Sequence, residues 1–266
     1  MLRHNLGQVI SQSFGATEQT FSRKSAYAAI RNLRGAYRLA YRDHVTVLTA
    51  SGDLGVTSYK YNGVDEYTTP AVNWPATDPL VTAVGGTQLH LRLDGAPKSP
   101  DVAWNDSGGG RSIVFGRPSY QSSVRGLTGI HRGVPDISME ASCDGNSPVF
   151  TYGSFRGGNR GGWGLGCGTS LATPLFAGVV ALAYQYAHLH GGHALGLINP
   201  AIYRIEAKHE PGVVDITKGN NSQTVIQGGK VYTVEGFSAG LGYDLVTGVG
   251  TVNARYFVPE LAKLAG

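Results

Sequence analysis

Val45-Thr46-Val47-Leu48-Thr49-Ala50-Ser51-Gly52-Asp53-Leu54-Gly55 is a short apolar run that stops at a glycine-bounded acidic turn. Its β-branched residues and abrupt end read as a buried strand. Upstream, Gln8 to Phe14 alternates and carries β-branched residues, which reads as another strand. Between the two, Thr17 can cap a helix. Tyr27, Ile30, Leu33 or Arg34, Tyr37 and Tyr41 then recur at three- and four-residue steps and predict one amphipathic helix up to about Arg42. Strand, helix, strand is the pattern of a βαβ unit, and hence of an α/β fold built on a parallel sheet.

Working outward, Leu80 to Val84 reads as a buried strand closed by Gly85-Gly86-Thr87, and Gln88 to Leu93 as an added edge strand. Pro97 to Gly133 is rich in Gly, Ser and Pro and reads as irregular. Gly153 to Gly168 reads as a glycine loop ahead of a helix from Ser170 to about His190, with further helices starting near Asn199-Pro200 and Asn253. No repeat or linker interrupts the pattern, so residues 1–266 are expected to form one domain.

Composition excludes several functions. The net charge of +4 comes from dispersed residues, and the densest basic run, Arg31 to Arg42, has the spacing of a solvated helix face. No nucleic-acid partner is expected. No stretch reaches the roughly 18 apolar residues of a membrane span, and the longest, Leu175 to Tyr186, contains Gly and Gln and reads as a core helix. Met1 to Gly7 carries no signal-peptide hydrophobic region. Cys143 and Cys167 form no metal framework; a disulfide in an oxidising compartment and two buried thiols both fit.

The chemistry concentrates in Gly168-Thr169-Ser170-Leu171-Ala172-Thr173-Pro174-Leu175-Phe176-Ala177-Gly178. A serine in the first turn of a helix, just after glycine, presents its hydroxyl at the positive end of the helix dipole. Its own N–H faces the place where an oxyanion would form. The simpler reading is that Ser170 only caps the helix. The G-x-S-x-G signature of a nucleophile elbow does not occur. Asp53, at its glycine-bounded turn, reads by itself as a cap on that turn.

The eleven-residue segment resembles the nucleophile segment shared by subtilisins and sedolisins. None of the eight histidines lies in the base segment a subtilisin needs, whereas Ser51-Gly52-Asp53-Leu54-Gly55 is similar to the oxyanion-hole motif of sedolisins. Val9 to Gly15, Val81 to Thr87, Gly108 to Ser112, Pro118 to Gln121 and Val134 to Ser138 also resemble sedolisin sequence, so the likeness covers nearly the whole chain. It implies a subtilisin-like three-layer α/β sandwich with a mostly parallel sheet, its N-terminal part missing. It further implies endopeptidase action on polypeptides in acid, with Ser170 as nucleophile and Asp53 as oxyanion acid. Asp215 and Asp244, with the carbonyls of Ile216, Gly240 and Gly242, match the family's structural Ca²⁺ ligands, an all-oxygen set suited to that ion.

Sedolisins activate their serine with a glutamate, oriented by an aspartate one helical turn away, on a helix ahead of the strand that Gln8 to Phe14 resembles. The expectation is that this chain lacks that helix and that Glu18, Asp65, Glu66 and Asp78 do not replace it. The polypeptide alone is then expected to be inactive or weakly active. It is a piece of an active peptidase, a catalytically dead homologue that binds peptides, or one chain of a site completed by another. A sheet edge and apolar surface are expected to lie uncovered. The resemblance also implies a prodomain and an extracytoplasmic destination.

Overall fold

The computed structural model describes residues 7–21, 24–143, 149–153 and 161–265. At its centre is a five-stranded sheet of β1 (Val9–Gln12), β2 (Thr46–Ala50), β3 (Thr82–Gln88), β4 (Val102–Ala103) and β5 (Ile137–Glu140). β1 runs parallel to β2, β2 to β3 and β3 to β5. The register sets Val9 opposite Thr46, Leu48 opposite Thr82 and Val84 opposite Ile137; β4 pairs antiparallel with the end of β3.

Alternate residues of each strand face opposite sides of this sheet. On one side Leu48, Val84 and Ile137 pack with three helices: α3 (Thr169–Leu189) through Phe176 and Val180, α4 (Asn199–Ala207) through Ile202, and α5 (Ala254–Ala265) through Phe257. On the other side Val45, Val47 and Val81 pack with Ile30 of α1 (Lys24–Leu33) and with Tyr37 and Ala40 of α2 (Gly35–Arg42). Three layers result, as expected. α3 is long and apolar enough to cross a bilayer, which corrects the expectation that no segment is. Its Phe176, Val180, Ala183 and Ala187 are buried, so it also serves as the core helix foreseen. β1 pairs with β2 alone among the described residues, and Leu182 and Leu189 of α3 are exposed.

Several local expectations are corrected. The helix before β2 is two helices, broken at Arg34. Gly35 has low helix propensity, and the break lets Arg34 pair with the buried Asp78 at 2.6 and 3.0 Å while lying over the Phe115 ring. Thr17 caps no helix: it sits in a short strand and its hydroxyl donates to the Tyr59 carbonyl at 2.6 Å. Gly85 and Gly86 do not close a strand but lie within β3. A Cβ on Gly86 would come within 2.6 Å of the Trp104 ring, so glycine there allows the indole to lie flush on the sheet. Gln88 to Leu93 is no edge strand; beyond Gln88 only Leu91 makes an isolated bridge, to Pro97. The stretch Pro97 to Gly133 is not wholly irregular, since it holds β4 and the strand Gly110–Gly116, which pairs antiparallel with His131–Val134. Gly162–Gly166, inside the predicted glycine loop, pairs with Val149–Gly153 as a strand. The expectations for Met1 to Leu6 and for 154–160 lie outside the described residues.

Where β5 begins, a polar network is sealed inside the fold. Arg132 and Asp136 form a two-pronged ion pair and both are fully buried. Asp136 also accepts hydrogen bonds from the Ala83 amide of β3 at 2.8 Å, from Asn199 of α4 at 3.1 Å and from the Tyr203 hydroxyl at 2.9 Å. One carboxylate therefore holds sheet and helix together. Asp136→Asn leaves the guanidinium buried without its counter-charge. A loss of about 3–5 kcal/mol of unfolding free energy is expected, read from denaturant melts with an unchanged slope. A loss under about 1 kcal/mol would show that the network is incidental.

Candidate active site

Ser51 to Leu54 leaves the C-terminal end of β2 and runs past the N-terminus of α3, the place where open α/β sheets form their crevices. α3 is capped from outside. Its own cap position is Gly168, which has no side chain to offer, and Asp53 from the β2 turn supplies the missing oxygen. Asp53 Oδ1 accepts the Thr169 amide at 2.7 Å and the Thr169 hydroxyl at 2.6 Å. The same hydroxyl oxygen accepts the Gly52 amide at 3.1 Å. Both Asp53 oxygens need this room: Gly168 has φ +85°, and a Cβ there would lie 2.7 Å from Asp53 Oδ2.

Ser170 follows in the first turn of α3, exposed beside Asp53. Its amide is one of the N–H groups a helix start leaves without an intrahelical acceptor. Four residues on, Pro174 has no N–H to give the Ser170 carbonyl, and the Ser13 hydroxyl reaches that carbonyl at 3.5 Å. Asp53 and Ser170 line one cleft of about 720 Å³, together with Ser13, Tyr59, Lys60 and Asn73. Among the described residues, no carboxylate or imidazole hydrogen-bonds the Ser170 hydroxyl. Glu18 is buried and accepts from Ser112 and Ile113, Asp78 is held by Arg34, and Glu66 accepts from Thr57. Asp65 accepts from Asn62.

The Thr169 hydroxyl and Asn73 were not singled out from sequence. Thr169 lay inside the quoted segment, but its reach to a turn 116 residues earlier has no local signal. Asn73 donates to the Ser51 carbonyl at 3.2 Å and accepts from Ser58 and Thr17, bracing the acidic turn from below.

The turn into α3 is also tied to the end of β5. Gly168 donates its amide to the Ala141 carbonyl at 2.7 Å, and Cys143 and Cys167 form a disulfide, which decides between the two readings of this pair. Next to it, Glu140 accepts the Leu89 amide and, at 2.8 Å, the Ser142 amide. Burial pushes its pKa up to about 7, and the nearby Asp101 adds to the rise.

The residues expected to hold a cation gather in the C-terminal part. Gly242 donates its amide to Asp215 at 2.9 Å, and Gly240 donates its amide to Asp244 at 3.1 Å. Two aspartates far apart in sequence thus meet on one loop, with Ile216 buried beside them. Asp244 is 5% exposed and burial raises its pKa. No cluster of three His, Cys, Asp or Glu side chains is arranged for a metal among the described residues, so an ion here would take most of its ligands from carbonyls.

The chain matches the model of the subtilase family over residues 2–195. It is 34% identical to tripeptidyl-peptidase sed4 of Aspergillus fumigatus, over 98% of this chain and 43% of that protein. It is 31% identical to sedolisin of Pseudomonas sp. strain 101, over 98% and 40%, and 32% identical to human tripeptidyl-peptidase 1, over 93% and 42%. The solved Pseudomonas sedolisin, a serine-carboxyl proteinase in complex with pseudo-iodotyrostatin, superposes with a TM-score of 0.75 at 30% identity, covering 99% of this chain and 66% of that one. The subtilisin-like fold is thereby shown. The chain spans less than half the length of these curated relatives.

Glu140 gives this region a pH signature. Its folded pKa of about 7 lies above its ordinary 4.5, so the folded state binds the proton more tightly. Stability from this group is full below about pH 4.5 and is lost as pH rises through 7. Thermal melts of Glu140→Gln are expected to vary less between pH 5 and 7.5 than those of the parent; parallel pH profiles would exclude this role.

Proposed function

This chain belongs to the subtilase family and is homologous to sedolisins, and on that premise we propose that it forms the core of a serine-carboxyl endopeptidase. Ser170 Oγ attacks the carbonyl carbon of a peptide held in the cleft, and its proton passes to a carboxylate base. The negative oxygen that forms is met by the Ser170 amide and by a proton on Asp53. Collapse expels the amine, which leaves with the proton the base had taken. Water, deprotonated by the same base, then releases the acyl group as a carboxylic acid and returns the proton to Ser170. A carboxyl that must carry its proton to donate favours an acidic medium. The observation that carries this reading is the Asp53 clamp. With Oδ1 taken by both Thr169 donors, Oδ2 has no hydrogen-bond partner among the described residues, and Asp53 lines the cleft with Ser170.

The base is the glutamate that the sedolisin resemblance implies. Because no acid or histidine bonds the Ser170 hydroxyl among the described residues, a second reading is a peptide-binding homologue that does not cut. Polypeptides are the substrate or ligand class in both readings, and the resemblance adds a prodomain in the precursor. The disulfide supports an oxidising, extracytoplasmic compartment.

We further propose one structural Ca²⁺ on Asp215, Asp244 and the carbonyls of Ile216, Gly240 and Gly242. The all-oxygen donor set suits this ion, and a cation would neutralise the buried Asp244. Its part is to hold together the chain between α4 and α5, with no role in the bond cleavage.

Peptide hydrolysis between pH 3 and 6, by the full-length protein that carries the catalytic glutamate, tests the first proposal. Ser170→Ala is expected to lose at least about 10³-fold in kcat, and Asp53→Asn about 10²- to 10³-fold. Cleavage that survives Ser170→Ala would overturn the nucleophile; binding of peptides with no cleavage by the parent would favour the second reading. Chelation is expected to lower Tm by about 5–10 °C, restored by added Ca²⁺. An unmoved Tm with no calcium on elemental analysis would remove the ion.

A further inference from the structure

The cleft has a charge that peptide-bond cleavage does not use. Besides two tyrosines, its titratable lining residues are Asp53, engaged by Thr169, and Lys60. Lys60 is half-buried, and among the described residues no carboxylate lies within ion-pair distance of its ammonium. The acids next to it in sequence are used elsewhere: Asp65 accepts from Asn62 at 2.9 Å and Glu66 from the Thr57 hydroxyl at 3.3 Å. Tyr59 and Tyr61 flank it, 47% and 91% exposed, and add apolar surface around the charge.

The loop that carries Lys60 is held in place before any ligand arrives. Tyr59 bridges Glu66, the Lys60 amide donates to the Asp65 carbonyl at 2.7 Å, and the Gly63 amide donates to the Lys60 carbonyl at 2.9 Å. From outside, Thr17 donates to the Tyr59 carbonyl at 2.6 Å, and the Glu66 amide donates to Gln227 of the hairpin Gln223–Val234 at 3.1 Å. An uncompensated cation on a braced loop in a cleft concentrates positive potential where a peptide lies, and little ordering remains to be done on binding.

We propose that Lys60 is a specificity-determining residue, selecting peptides with an acidic side chain within a few residues of the bond presented to Ser170. This rests on the cleft being a peptide site and deepens that reading by naming the substrate class.

The test is fluorescence anisotropy at pH 6 with the full chain carrying Ser170→Ala, so that nothing is turned over. The probes are labelled octapeptides identical except for Glu, Gln or Lys scanned through the central positions. At one position the Glu peptide is expected to bind about five- to tenfold tighter than the Gln peptide, and the Lys peptide weakest. Lys60→Ala is expected to erase the preference, Lys60→Glu to reverse it, and 0.5 M salt to shrink it, with melting temperatures unchanged. A ranking that persists in Lys60→Glu, the absence of any ranking, or no binding by any peptide overturns the proposal. Hydrolysis of the same peptides by the full-length protein that carries the catalytic glutamate, with Ser170 intact, separates the two readings. Cleavage without charge preference sinks the role of Lys60 alone, whereas Lys60-dependent binding without cleavage sinks the peptidase reading and leaves Lys60 standing.

Discussion

The carboxylate of Asp53 closes on the first turn of α3 from outside the helix, and the geometry of the cleft depends on that contact. A helix start leaves N–H groups without acceptors, and Gly168 has no side chain with which to cap them. By taking the Thr169 amide and hydroxyl on one oxygen, Asp53 joins the end of β2 to the start of α3 across 116 residues of sequence. The same contact aims the helix dipole at Ser170 and fixes which Asp53 oxygen stays free. The sequence offered Asp53 as a cap on its own turn; in the structure it caps the start of α3 instead.

Further from the cleft, the buried Arg132–Asp136 pair holds the layers in register. Asp136 bonds β3 through the Ala83 amide and α4 through Asn199 and Tyr203, so that strand and that helix cannot slide independently. Such a pair is costly to bury and costlier to break, which makes it a device for positioning more than for stability. The disulfide and the Gly168–Ala141 hydrogen bond carry that order on to the turn before Ser170. Glu140 lies on this route, and its preference for the protonated state makes the region best settled in acid.

Period and punctuation made much of the fold legible. The strand Val45 to Ala50, the helix that begins at Thr169, and the starts of the helices at Asn199 and Ala254 were all readable, because each is a local pattern of apolar spacing bounded by glycine, asparagine or proline. The expectations that failed were those in which a distant partner overrides the local pattern. Arg34 breaks a helix to reach Asp78, Thr17 is drawn to the Tyr59 carbonyl instead of capping, and Gly85 and Gly86 continue a strand on which Ser138, Pro135 and Trp104 close in.

The sequence by itself determined the residue types of the chemistry, Ser170 after glycine at a helix start and Asp53 in a glycine-bounded turn after a strand, since both are set by neighbours within a few positions. Only the tertiary structure decided that the two face one cleft, that Cys143 and Cys167 are bonded, and that, among the described residues, Asp53 keeps one oxygen free and Lys60 has no counter-charge. Hydrogen bonds and charge pairing depend on distances of a few ångströms between groups many residues apart, and no local pattern encodes those distances.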